Sequence, residues 1–370
     1  MNAAARTDRE SLFATKVAAY LEVAARSVQA ISNVATQVAS LGAGSTLLPV
    51  TINCSESGNA WVCSPYSTYA LYAAEEIRRL GHPLLTSPLQ GLCGVMGRHL
   101  RNAAVDNVVA VNNWLISTNL YPPARAYDIP AIIAEARARW PGHAVWFRSL
   151  NARYTADWLK SLVESGCILI PSRQVYLYDT VHANATRPVD LQRDFHLLRT
   201  TPLSSSPGDQ WSSEDFERAS KLYALLYLEK YSQLNPAYTA EFMRLWHAAG
   251  LLDLVGYRDP SGELQGVVGM YCDGGTLTSP IVGYDTARPQ AEGLYRILAA
   301  TVLMTAARTG GRVNLSAGVG EFKRLRGGIG ETEYSAVYAQ HLPRRSRRAL
   351  EQLSFVTRRI GVPIMRYLRL

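Results

Sequence analysis

Residues 262–328 read GELQGVVGMYCDGGTLTSPIVGYDTARPQAEGLYRILAATVLMTAARTGGRVNLSAGVGEFKRLRGG. Two runs rich in β-branched and aromatic residues, LQGVVGMYCDG and TLTSPIVGYD, read as strands, and Gly274 and Gly275 turn the first into the second. Leu294, Ile297, Leu298, Thr301, Val302 and Thr305 then recur at helical spacing until Gly310 and Gly311. A strand, RVNLSAG, a glycine-rich loop carrying EFKRLRG and a strand, YSAVYAQ, complete the series. Upstream, LLDLVGYRD adds a strand that joins the meander through the turn Asp259-Pro260-Ser261-Gly262. Before it come two helices, at about 213–232 and 236–249. The order is helix, helix, three antiparallel strands, helix, strand, loop, strand.

Outward from this stretch the signals are mixed. Residues 8–42 place Leu12, Val17, Tyr20, Leu21, Val28, Ile31, Val34 and Val38 at spacings of three and four, which predicts one or two helices closing on Gly42 and Gly44. TLLPVTIN and AWVCSPYSTYALY read as short strands. Residues 67–80 read as a helix, capped by Ser64 or Ser67 and stopped by Gly81 and Pro83. DNVVAVNNWLIST and HAVWFRSL read as strands, 129–139 and TADWLKSLVESG as helices, and CILIPSRQVYLYD as a strand pair turning near Pro171 and Ser172. The polar stretch RTTPLSSSPGDQWSSED has the composition of a linker. The chain therefore divides into residues 1–205, 206–343 and a basic helical segment, 344–370, broken at Gly361 and Pro363.

Hydrophobic residues make up 48% and charged residues 18% of the 370, which excludes a disordered chain and supplies apolar material for sizeable cores. No run of about 18 apolar residues is present, and the charged start MNAAARTDRESLF lacks the apolar stretch of a signal peptide, so a cytoplasmic protein is expected. Five scattered cysteines (Cys54, Cys63, Cys93, Cys167, Cys272) contain no C-x-x-C pair, and His99, His143 and His247 lack neighbours at metal-ligand spacing; no metal site is assigned. Of the net charge of +8, the segment from His341 to Leu370 carries +7: eight arginines (Arg344, Arg345, Arg347, Arg348, Arg358, Arg359, Arg366, Arg369) against Glu351. Such a field concentrates polyanions: tRNA, an acidic carrier protein or an anionic membrane surface.

With these elements in order, residues 262–328 resemble the FemAB-like and BioF2-like branch of the GNAT acyltransferase superfamily. The resemblance rests on Tyr284 and Asp285 ending the third strand, on Pro289 with Gly293 and Leu294 leading the helix, and on Gly318 with Phe322 and Lys323 after the next strand. It implies an α+β fold, a mixed but mostly antiparallel sheet flanked by helices. It also implies two GNAT-like units in tandem, the first, in residues 1–205, degenerate. In such a fold two parallel strands splay at the sheet centre and a donor threads the gap, while the helix after the third strand offers unpaired N–H groups to a phosphate.

Carried onto this chain, the resemblance places Tyr284, Asp285, Glu321 and Lys323 at the chemistry. Tyr284 is a proton donor, Asp285 an amine-binding carboxylate or a strand-end cap, Glu321 an amine-deprotonating base, and Lys323 a charge stabiliser. Donor contacts fall to Arg288, Gln290, Gly293, Leu294, Asn314, Ser316 and Gly318. Acceptor contacts fall to Tyr66, Tyr69, Trp114 and Arg173, aromatic and arginine residues suited to a partly wet cleft. No tightly bound cofactor is expected; the co-substrate is an acyl-CoA or an acyl carrier protein thioester, and the acceptor a small amine or amino acid. RPQAEGLYRIL keeps only one glycine of the CoA-binding pattern, so aminoacyl-tRNA is the alternative donor, in a FemAB-like peptidyl transfer. The third alternative is a non-catalytic binding protein on a GNAT core.

Overall fold

The computed structural model describes residues 3–42, 46–82, 84–181 and 188–367; the expected helix stops Gly44 and Pro83, and Arg369, lie outside them. The strands are β1 (Gln37–Leu41), β2 (Leu48–Cys54), β3 (Asn107–Val111), β4 (Ala144–Leu150), β5 (Ile168–Tyr178), β6 (Ser204–Pro207), β7 (Asp253–Arg258), β8 (Leu264–Asp273), β9 (Thr276–Tyr284), β10 (Arg312–Asn314) and β11 (Ile329–Tyr338). The helices are α1 (Ala3–Gln29), α2 (Ala73–Leu80), α3 (Thr86–Asn102), α4 (Ile129–Arg139), α5 (Ala156–Glu164), α6 (Val189–Thr200), α7 (Ser213–Ala224), α8 (Ala240–Ala248), α9 (Leu294–Thr309), α10 (Gly320–Arg324), α11 (Arg344–Val356) and α12 (Val362–Tyr367). Turns of π-helix precede α2 (Ser67–Tyr72), extend α7 (Leu225–Tyr231) and join α11 to α12 (Thr357–Gly361). The expected α+β fold, a mostly antiparallel sheet flanked by helices, is the one observed.

All eleven strands form one sheet in the order β1-β2-β3-β4-β11-β5-β10-β9-β8-β7-β6. Among the described residues only β3–β4 and β9–β10 are parallel pairs, and each is followed by the same backbone feature. Pairing of β3 with β4 stops at Val111 and Phe147, that of β9 with β10 at Thr278 and Asn314. Two residues beyond Phe147 and Asn314 stand Ser149 and Ser316, both left-handed, at φ 64° and 58°. The halves thus repeat one arrangement, and they interlock at the centre: β11 lies between β4 and β5, while β5 lies between β11 and β10.

Strand alternation sends side chains to two layers. Val109, Val111, Val145, Phe147, Val267 and Tyr271 join α1, α4, α5, α7 and α8 in one core. On the opposite face Val108, Ala110 and Trp146 pack with α3 and α11, and Val268, Met270 and Tyr257 with α9 and α6.

Several local expectations change. Residues 37–41, read as helix, pair with β2: the three-and-four spacing of Val34 and Val38 gives way to a strand once a partner is available. The segment AWVCSPYSTYALY is a turn followed by π-helix, with Ser64 Oγ accepting from Ser67 N–H at 2.9 Å. CILIPSRQVYLYD is one strand, β5, its proline absorbed by a register shift opposite Glu333 and Tyr334. The serine-rich stretch near 204 is an edge strand followed by a capping box, Ser212 with Asp215. Gly361 and Pro363 do not break the final helix, which passes them through a π-turn. Helices α3 and α6 were not anticipated.

Candidate functional site

The gap between β9 and β10 has a cause in the sequence. Asp285 N–H bonds Gln265 O of β8 at 2.9 Å, so by alternation the N–H groups of Val282 and Tyr284 turn the other way, toward β10. Between Thr278 and Ile281 the pairing of β9 with β8 shifts register, and residue 280 there is proline, which offers no donor. The ladder therefore ends at Thr278, and residues 279–284 leave an edge without a strand partner on that side. Opposite, the chain after Asn314 bends away at Ser316, whose carbonyl accepts from Tyr176 N–H at 3.1 Å. The expected wedge is present.

Tyrosines approach the opening from both faces. Gly283 allows the backbone of α7 to lie directly on β9: a Cβ there would stand 2.4 Å from Tyr223 N and 2.6 Å from Leu222 C. That contact sets the π-turn, with Tyr227 and Tyr231, over one face. Tyr295 of α9 stands on the other face, 6.3 Å from the ring of Tyr284 and 5.0 Å from that of Phe322. Tyr295 lies within electrostatic range of Tyr227, Tyr231 and Tyr284, and burial raises its phenol far above the ordinary value. Burial likewise raises Tyr227. Both phenols stay protonated at neutral pH. Neither was picked out from the sequence; both lie in LLYLEKY or GLYRIL, where helical spacing reads as core.

Among the residues expected at the chemistry, Tyr284 and Lys323 flank the wedge by their elements, but Lys323 is committed elsewhere. Its ammonium donates to the carbonyls of Leu315, Ser316 and Ala317 at 2.7, 3.3 and 2.8 Å. Burial, with the Arg173 guanidinium second, lowers its pKa to about 7. It fastens the loop that bends away from β9. Asp285 pairs with Arg218 at 3.0 Å and accepts from Ala287 N–H, closing the strand end. Glu321 is exposed on α10; beside it Arg324 donates to Tyr176 Oη and Arg326 pairs with Asp194.

The donor set is partly occupied by protein contacts. Arg288 is bound to Glu292 at 2.7 Å and approaches Asp259 at 3.6 Å. Gly293, in the left-handed region at φ 67°, opens α9, and a Cβ there would meet Leu197 Cδ2 of α6 at 2.7 Å. Gln290 is exposed and Leu294 buried. Asn314 is buried and its Oδ1 accepts from Ser316 N–H; Gly318 is exposed at φ 82°.

Of the acceptor set, Tyr69 and Arg173 both lie beside Glu333, and Trp114 stands apart from them. Trp114 is fully buried between Phe13, Tyr20 and Tyr271, a core residue with no face for a ligand. Tyr66 lies against Arg101, its ring 4.7 Å from the guanidinium. Tyr69 is buried, donating to Ser335 Oγ at 3.1 Å, and Arg173 pairs with Glu333 at 2.7 Å. The equivalent gap in the first half is filled: Arg148, next after Phe147, donates to Val62 O and Asn113 Oδ1, and Asn119 N–H to Ser149 Oγ. No group of histidine, cysteine and carboxylate side chains is placed to hold a metal among the described residues, and none of their helices is long and apolar enough to cross a membrane.

No family model matches the chain, and no curated protein matches it. Solved structures do. It resembles FemX with 8% identity and a TM-score of 0.46 over 60% of this chain and 76% of that one. L-PGS from Bacillus licheniformis aligns at 13% identity and a TM-score of 0.43 over 61% and 78%. A tandem GNAT protein from the clavulanic acid biosynthesis pathway aligns at 10% identity and a TM-score of 0.34 over 62% and 75%. These are distant likenesses of architecture.

Proposed function

We propose that this chain is a GNAT-type transferase that moves an acyl group from a thioester, an acyl-CoA or acyl carrier protein, onto the amine of a small molecule or amino acid. The observation that carries the reading is the lapse of pairing between β9 and β10 beyond Thr278 and Asn314. A donor laid along that edge meets the N–H groups of Val282 and Tyr284, which are aimed at a carbonyl oxygen as it gains charge. The amine attacks the thioester carbon, the carbon–sulfur bond breaks, and the sulfur leaves with a proton from the Tyr284 hydroxyl, which recovers one from solvent. Glu321, acting directly or through water, takes the proton of the amine.

A second reading, transfer from aminoacyl-tRNA, is favoured by one feature. Arg288 is neutralised by Glu292 and Asp259, and Leu197 closes on Gly293, so Arg288 is not free to meet a CoA pyrophosphate at the α9 end. The arginines of α11 serve either donor, since tRNA and carrier proteins are both polyanions. Ala349, Leu350 and Leu353 are buried, while Arg344, Arg345 and Arg348 are exposed.

The test is a thiol-release assay of the purified chain with an acyl-CoA series and an amine panel, beside transfer from labelled aminoacyl-tRNA. Thiol release that falls at least tenfold in Tyr284→Phe or Glu321→Gln supports the first reading, and transfer from tRNA alone supports the second. Both variants turning over like the parent would place the chemistry elsewhere, and inertness toward both donors removes the transferase reading.

A further inference from the structure

The first half holds a cationic centre that the transferase reading does not use. Arg148 is 9% exposed and lines a cavity with Trp61, Tyr69, Ser149, Ser172 and Glu333. Nη1 of Arg148 donates to Val62 O at 2.6 Å and Asn113 Oδ1 at 2.8 Å. Its Nε and Nη2 have no protein acceptor among the described residues, and no carboxylate lies within ion-pair distance of it there.

Glu333, the one acid of the cavity wall among the described residues, is 3% exposed and already bound to Arg173 at 2.7 Å. Arg173 and Arg148 both lie over the Trp61 ring, at 4.7 and 5.2 Å from its centroid. Two guanidinium groups thus share one carboxylate in a buried place. Cys63, also on the wall, does not supply the missing charge, because burial raises its thiol to about 12. Glu333 attracts both guanidinium groups and balances one of their two charges; the positive charge left over in a buried place carries a desolvation penalty, and a bound anion offsets it.

We infer that the cavity beside Arg148 binds one monatomic monovalent anion, a halide, through the free guanidinium edge and the neighbouring serine hydroxyls. Size limits the class. The cavity offers about 10 Å³ for the centre of a water-sized sphere, near the 10–15 Å³ that holds one water. A carboxylate, a phosphate or a nucleotide is too large. Arg148 occupies the first-half position that corresponds to Leu315 beside the β9–β10 wedge, so the ligand sits where the repeat has exchanged an open gap for a charged one. The inference stands whether or not the second-half wedge is a transferase site.

Thermal unfolding of the full chain is followed while bromide or acetate replaces methanesulfonate at constant ionic strength. The expected result is a rise with bromide that grows with the logarithm of its concentration, about 3 °C at 100 times the dissociation constant, and that is absent in Arg148→Met. Acetate is the size control: no rise with it supports the halide site, and a rise equal to that with bromide overturns it. A flat wild-type response, or an equal rise in Arg148→Met, overturns the proposal. Should Arg148→Met fail to fold, bromide-soaked crystals of the wild type decide: an anomalous peak beside Arg148 and Ser149 supports the site, and its absence removes it.

Discussion

Lys323 shows how burial and hydrogen bonding divide the work of one side chain. Its three donors meet three carbonyls of the loop 315–317, and with 4% exposure it is shut off from water. Lys323→Met leaves those carbonyls without donors and is expected to cost about 3 kcal/mol, about 1 kcal/mol for each of the three bonds lost. The sign with pH follows from its lowered pKa of about 7. Between that value and the ordinary lysine range the unfolded chain binds a proton the folded chain has released, so stability rises with pH across the interval. Urea melts at pH 7 and pH 9 should show the wild type gaining stability and Lys323→Met gaining less. Gly293 makes a separate residue-scale case. With φ at 67° and Leu197 Cδ2 only 2.7 Å from where a methyl group would stand, Gly293→Ala is expected to lose about 2 kcal/mol, mostly from the left-handed backbone, read as a lower urea midpoint at unchanged slope.

Among elements, β9 and α7 are joined by the absence of one methyl group. At Gly283 a Cβ would strike backbone rather than a movable side chain, so α7 has to shift and carry Tyr227 and Tyr231 with it. Gly283→Ala is expected to cost about 3 kcal/mol, at the upper end for overpacking, and to lower transfer more than binding of the donor; a split between kcat and KM measures this. The β7–β8–β9 meander and α9 were legible in the sequence, because turn glycines and helical spacing are local signals; the wedge was expected only from the family resemblance of residues 262–328. The sequence did not announce α3, whose glycines and proline weaken the helical pattern, nor that β5 is unbroken at Pro171, which β11 accommodates through a register shift. Site roles were less legible for the same reason. The type of Lys323 was evident, but its three carbonyl partners depend on a left-handed bend at Ser316 that no spacing reports. Trp114 drew notice as a cleft aromatic, yet Phe13, Tyr20 and Tyr271 enclose it from elements distant in the chain.

For the molecule as a whole, the decisive fact is that β5 and β11 trade neighbours. β11 pairs with β4 at Tyr334–Tyr338 and with β5 along nearly its whole length, while β5 also pairs with β10. A chain cut near residue 203 would leave β4 and β5 of the first piece separated by the width of a missing strand, and β10 and β11 of the second likewise. Each piece would then expose unpaired N–H and C=O groups at the sheet centre. α11 ties the halves further: Ser346 Oγ donates to Ala103 O and Ser354 Oγ to Leu169 O, so the last helix closes the core of the first half. Unfolding of the intact chain should therefore appear as one calorimetric transition with coincident fluorescence and circular dichroism midpoints. Pieces 1–203 and 204–370 made separately should be aggregation-prone, and should recover native-like dichroism only when refolded together. Two separate transitions in the intact chain, or a first piece that melts cooperatively alone, would mean that the central strands are exchangeable ornaments on two self-sufficient cores. The long sequence separation of β11 from β4 also predicts slow refolding, because loop closure precedes any reward from that pairing.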